Sequence, residues 1–247
     1  MTETPLQPVA DAGSPSLGER ITDVFVAPRR AMAATALKPA WWLPALLSLA
    51  IVGVFTAVNV HTITPAQLEA QLESAPAAQV PVLEQQLEMF MDPPTWLRVV
   101  TGLGAGVGVF VGGAVFAMIC HLFLKLSEGR GRMGQSMGVT FWAGLIAYGL
   151  KSLLSWGVLV ATGSVKAMSL TAVALLPDFD PSSMPAMIAS FFGDPFLWWM
   201  LVVVVIGMAR AHTLPTRSAA TVVVATYALL MALMIGLQVV SKALTGA

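Results

Sequence analysis

The chain has 247 residues and a formal net charge of zero, from 13 basic and 13 acidic side chains. It is 57% hydrophobic and only 11% charged, with a mean hydropathy of +0.79, whereas a soluble domain carries about 25% charged residues. That composition cannot clothe a water-facing surface and excludes a soluble globular enzyme. The neutral balance excludes a generally basic nucleic-acid binder, and a single cysteine, Cys120, excludes an intrachain disulfide.

Residues 1–18 are rich in Pro, Ala, Ser and Gly without an apolar period and read as a disordered tail. The first long apolar run begins at Trp41, too late for a signal peptide, so neither cleavage nor export of the whole chain is expected. Residues 19–40 form a cytoplasmic, interfacial segment. Leu17, Ile21, Val24 and Phe25 share one helical face, with Arg20 expected opposite. With Arg29, Arg30 and Lys38, this segment suits an anionic inner leaflet, while its apolar face can also pack under a helix bundle.

Residues 41–242 contain five apolar stretches: Trp41–Val58, Leu97–Leu124, Met137–Ala161, Pro195–Ala209 and Ala219–Val240. A hydrocarbon core of about 30 Å needs roughly 20 helical residues. The fourth stretch is short, but Trp198 and Trp199 at one end and Arg210 at the other suit the two interfaces. The runs are continuous rather than alternating, which excludes a closed β-barrel. The expected fold is an all-α bundle of five transmembrane helices.

Lysine and arginine set its orientation. Arg20, Arg29, Arg30, Lys38, Lys125, Arg130, Arg132, Arg210 and Arg217 fall on one side, against Arg98, Lys166 and Lys242 on the other. The N-terminus is therefore expected in the cytoplasm and the C-terminus outside. Two long outer loops follow from this. Thr64–Met91 is amphipathic, and Pro76 and Pro81 are expected to split it into two short helices. Ala167–Phe192 is apolar, broken by Pro177, Pro181 and Pro185, and is expected to form short helices at the membrane surface.

Val24–Leu47 carries Pro28-Arg29 after an apolar pair, Pro39 before Trp41-Trp42, and Pro44. Asp194-Pro195-Phe196-Leu197-Trp198-Trp199 is followed by Ile206-Gly207-Met208-Ala209. These motifs and the five-span layout resemble bacterial members of the Yip1 family over about residues 20–242. The resemblance implies a five-helix integral membrane protein with a cytoplasmic N-terminus. Eukaryotic relatives bind small GTPases of the Rab class and act in vesicle traffic; their acidic-leucine-aromatic-glycine-proline motif is not visible before the first span here.

Four sets of residues stand out as candidate sites. Gly102, Gly104, Gly106, Gly108, Gly112 and Gly113 lack the strand and lysine of a phosphate-binding loop. The four-residue spacings among Gly102, Gly106, Gly108 and Gly112 point instead to close helix packing. Pro39, Trp41, Trp42 and Pro44 read as an interfacial anchor, with partner docking the lesser reading. Cys120-His121 and His212 would make a metal site only if they converged, and interfacial histidines are the plainer reading.

Lys151 is the only formal charge well inside a span, about 21 Å along a helix counted from Met137. No acid lies inside a span, so Asp194, at the start of the fourth, is the best-placed counter-ion. The pair reads either as a structural snorkel or as a substrate or lipid-headgroup contact.

No convergent acid, base, nucleophile or metal set points to an enzyme, and no cofactor is implied. The expected role is a non-enzymatic inner-membrane protein that recruits partners or organises membrane. A small transporter or channel subunit, handling lipids, is the alternative. The expected partners are the bilayer, proteins at the cytoplasmic N-terminal face and a second copy of the chain, with no nucleic acid.

Overall fold

A computed structural model describes residues 16–73, 75, 77–175 and 184–245. Most of the tail expected over residues 1–18, together with Pro76, Pro177 and Pro181, lies outside the described residues. Every described regular element is helical. Five helices are long and apolar enough to cross a membrane: Trp42–Leu72, Thr95–Leu126, Met133–Thr162, Pro195–His212 and a window Thr216–Leu237.

The chain opens with α1 (Leu17–Val26) and α2 (Pro28–Leu37). Ser16 and Glu19 start α1 with a reciprocal capping box: the Ser16 N–H donates to Glu19 Oε2 at 2.7 Å and the Glu19 N–H donates to Ser16 Oγ at 3.3 Å. Each bond satisfies an amide that a helix start would leave without a partner. Pro28 begins α2, where a missing N–H costs nothing. The two short helices dock on the bundle through Val24 and Met32, both fully buried. Arg20 does not stand opposite the apolar face. Its guanidinium lies 4.6 Å over the Trp142 ring and donates to Lys38 O at 3.1 Å. At 100° per residue, position 20 falls about 40° from Val24 and about 60° from Leu17 rather than across from them.

The first span, α3 (Trp42–Leu72), is longer than its apolar run. It continues through Pro65 to Leu72, so the first half of the Thr64–Met91 loop extends this helix rather than forming a separate one. Tertiary packing outweighs the proline here: Pro65 and Leu68 are buried, and α4 (Val80–Met91) folds back along the extension. Pro81 sits in the first turn of α4.

The second span, α5 (Thr95–Leu126), packs along α3. The third is composite: α6 (Met133–Gly144), a π turn over Leu145–Leu150, and α7 (Lys151–Thr162). It ends on Gly163, whose φ of 66° is the left-handed conformation that glycine adopts readily. The chain then returns through α8 (Val165–Met168), a 3₁₀ turn over Ala172–Leu175 and α9 (Met184–Phe192). The last two spans are α10 (Pro195–His212) and α11 (Thr216–Thr245).

The side holding α1, α2 and the α5–α6 and α10–α11 turns is termed proximal below, and the other side distal. The core is concentrated on α6, α10 and the N-terminal helices, with Val139, Trp142, Val203, Val204 and Met208 almost wholly buried.

Candidate functional site: a buried ion pair

Asp194 precedes α10 in extended backbone, the conformation of an N-cap. Its Oδ1 accepts from the N–H of Phe196 at 2.9 Å and of Leu197 at 3.2 Å. Its Oδ2 accepts from Lys151 Nζ at 2.6 Å. The carboxylate is only 6% exposed as a residue, so each oxygen needs the partner it has. The positive end of the helix dipole favours the same negative charge.

Lys151 reaches this position because of the π turn. An i→i+5 turn holds one residue more than an α turn, which rotates all that follows by about 100°. Lys151 is the first residue after it, and its side chain, 23% exposed, is directed onto Asp194.

The pair lies deep. Lys151 is eleven residues short of Thr162 at the distal end of its helix, or about 16 Å. Helices α6 and α10 run antiparallel, so that a Cβ on Gly207 would meet Val139 while Asp194 meets Lys151. Helix α10, with 18 residues, therefore starts well inside the distal end of α7. The returning segment covers this start. Tyr227 Oη donates to Phe191 O at 3.1 Å and Trp198 Nε1 to Phe192 O at 2.8 Å. The Ala172 N–H donates to Gly193 O at 3.1 Å.

The proximal end holds a second polar cluster. Ser136 Oγ is hydrogen-bonded to His121 Nδ1 at 3.1 Å and to His212 Nε2 at 2.9 Å. A serine hydroxyl has one proton and two lone pairs, so at most one ring accepts from it and at least one ring donates to Oγ. Ser136 and His212 are fully buried. Gly129 and Gly131 lie so close that a Cβ on either would meet the His212 ring at 2.8 Å. The two histidines thus converge, with ring centroids 5.2 Å apart, and Cys120 is a free, buried thiol. Among the described residues no group of three or more His, Cys, Asp or Glu could hold a metal ion. Ser136 carries no signal in the sequence; the Gly129-x-Gly131 spacing is the one hint of a tight turn there.

The glycines of α5 divide by face. A Cβ on Gly102 would stand 2.5 Å from Gly53 O, and one on Gly106 2.7 Å from Leu49 O, so α3 and α5 touch backbone to backbone. Among the described residues, nothing lies within 4 Å of a Cβ on Gly108 or Gly112, expected on the packing face, nor on Gly104. Six residues separate Gly102 from Gly108, which carries the helix 240° round its axis. The deeper contact belongs to Gly113, against the Phe141 ring.

The anchor residues also divide. Pro39 lies against Gly138, where a Cβ would stand 2.6 Å from Pro39 O. Trp41 packs beside Phe110 and Phe141, with ring centroids 6.5 and 6.4 Å away. Pro44 is buried, and Trp42 is exposed.

The Yip1 domain model matches residues 22–237, from within α1 to the distal part of α11. The chain belongs to the Yip1 family. No curated protein and no solved structure matches it. The match makes this a multi-pass integral membrane protein, since the Yip1 family is a family of membrane proteins and the five apolar helices fall within or across the matched residues. The Yip1 domain here includes the second half of α1 and all of α2, so the match extends into the docked N-terminal pair.

Proposed function

We propose that this Yip1-domain protein is a non-enzymatic component of a bacterial inner membrane, with its N-terminus in the cytoplasm, that recruits partners or organises membrane through its N-terminal face. The observation carrying this reading is how firmly α1 and α2 are held while their basic edge stays open. Asp23, itself buried, is paired with Arg30, whose Nε donates to Asp23 Oδ2 at 2.6 Å. Gln135 Nε2 donates to Ala36 O at 2.6 Å and ties the end of α2 to α6. Arg29, Lys38, Val26 and Leu37 are left exposed. A fixed basic surface carrying two apolar side chains suits a protein partner or anionic lipid at the inner face.

Purification in mild detergent tests it. The wild type is expected to retain a defined partner that Arg29→Glu with Lys38→Glu loses, with the melting temperature unchanged. Retention by the charge-reversed protein would remove the N-terminal face from the function.

The Lys151–Asp194 pair favours a second reading, a small transporter or channel subunit that handles lipid, because an ionisable pair within a span is a default candidate for substrate contact. In proteoliposomes, Lys151→Met is expected to abolish lipid movement on that reading and to leave it unchanged if the lysine is structural.

A further inference from the structure

A groove of about 310 Å³ runs between α3 and α7, lined by Ala50, Ile51, Val54, Phe55, Val58 and Asn59 of α3 and by Ser152, Leu153 and Trp156 of α7. We propose that it is a binding site for one acyl chain of a membrane phospholipid.

Its walls are set by helical spacing. Ala50, Val54 and Val58 form one i, i+4 row, and Ile51, Phe55 and Asn59 the next. From Ala50 to Asn59 the row is about 13 Å long, close to half of a hydrocarbon core of about 30 Å, which is the reach of a chain from one leaflet. The deep end is closed, for Ile51 Cδ1 lies 3.7 Å from where a Cβ on Gly149 would stand. Such a closed end does not admit a helix, which measures about 10–12 Å across with its side chains. Water is no better an occupant, because apolar cavities of this kind stay dry.

The groove is continuous with the bilayer-facing surface. Val54, Val58, Leu153 and Trp156 form its lips and are 63, 48, 55 and 49% exposed. In a membrane-spanning chain those lips stand in hydrocarbon. Trp156 lies towards its distal end and is a residue type that suits the interfacial level of the bilayer, while Asn59 beside it donates its amide to Phe55 O at 2.8 Å. The site is separate from the Lys151–Asp194 pair, since Lys151 turns towards α10. It rests on neither functional reading above, only on the chain spanning the membrane.

The test reconstitutes the full-length protein in phosphatidylethanolamine–phosphatidylglycerol vesicles doped with a phosphatidylcholine bearing a mid-chain diazirine. Photolabelling is expected to concentrate on residues 50–59 and 152–156, several-fold above Val107 and Val111 of α5 and Leu229 and Leu233 of α11, which also face outward. Val54→Trp, or Leu153→Trp from the opposite wall should the first fail to fold, is expected to lower groove labelling to the level of those controls. Lys151→Met is expected to leave it unchanged. Equal labelling of all outward faces would overturn the proposal. So would stronger labelling by a diazirine fatty acid than by the phospholipid, or cross-links joining the groove to a second copy of the chain.

Discussion

The two ends of the bundle are built on different principles. At the proximal end, side chains from three elements interlock: Met32 of α2, Ser136 and Trp142 of α6 and His212 of α10 are essentially without solvent exposure, and Ser136 bonds His121 and His212 across elements. At the distal end, α4 and α8 bury no residue, and α7 buries only Ser155 and Leu159. Lys151–Asp194 marks the boundary between them. In a membrane, lipid solvates apolar side chains as well as protein does, so apolar composition alone does not fasten one helix to another. Polar contacts and close backbone approach do: the proximal end uses the Ser136–His121–His212 cluster, while Gly102 and Gly106 join α5 to α3 in the distal half of α5.

The sharpest way to break this comparison is to ask which end faces which compartment. An alkaline phosphatase fusion at Gln86, in α4, is expected to be fully active and one at Gly131, in the α5–α6 turn, silent. The reverse pattern would invert the orientation inferred from the basic residues. Next in size is the boundary itself. Asp194→Ala strips Lys151 of its partner and α10 of its cap, and is expected to cost about 4 kcal/mol in detergent unfolding. Adding Lys151→Met to Asp194→Ser, which keeps a capping oxygen and removes both charges, is expected to recover most of that loss. Equal losses in the single and double variants would show that an unpartnered Lys151 carries no penalty.

The contrast between faces of one helix gives the third test. Gly106→Leu is expected to lower stability by about 3 kcal/mol by forcing α3 and α5 apart. Gly108→Leu, with open space beside it, is expected to change the melting temperature little. Matching effects would mean that a partner covers Gly108. The smallest effect belongs to Glu19. Its hydrogen bonds to the Ser16 backbone and side chain hold its carboxyl below the ordinary carboxylate value. A lowered folded-state value means stabilisation that is complete above the unfolded-state value and is lost as pH falls through the folded one. Helix α1 is therefore expected to fray under acid while α2, which has no side-chain cap, does not, as NMR shifts of the two helices will show.

The five spans were legible because continuous apolar runs need no partner to be recognised. Lys151 was legible for the opposite reason: a lone charge in a span narrows its partners to the few acids at span ends, and Asp194 is where the ammonium goes. The π turn was not legible, since Leu145–Leu150 has an ordinary composition and only its packing against α3 and α10 reveals the extra residue. Spacing identified small residues on α5 but not which neighbour each would meet, so Gly108 and Gly112 were grouped with Gly102 and Gly106. Ser136 was missed because the two histidines that give it meaning come from other helices, 15 and 76 residues away along the chain.

The separation of Lys151 from Asp194 by 43 residues also has a consequence for biogenesis. The lysine is synthesised first. At about 5–20 residues per second, the third span waits roughly two to nine seconds before its carboxylate exists. During that interval an unpaired lysine near a helix centre raises the insertion cost by about 2.5–3.5 kcal/mol, which the apolar residues of that span must outweigh unaided. When α10 emerges, short and headed by an acid, the waiting ammonium lowers its entry cost in turn. The ion pair thus links the insertion of the fourth span energetically to that of the third.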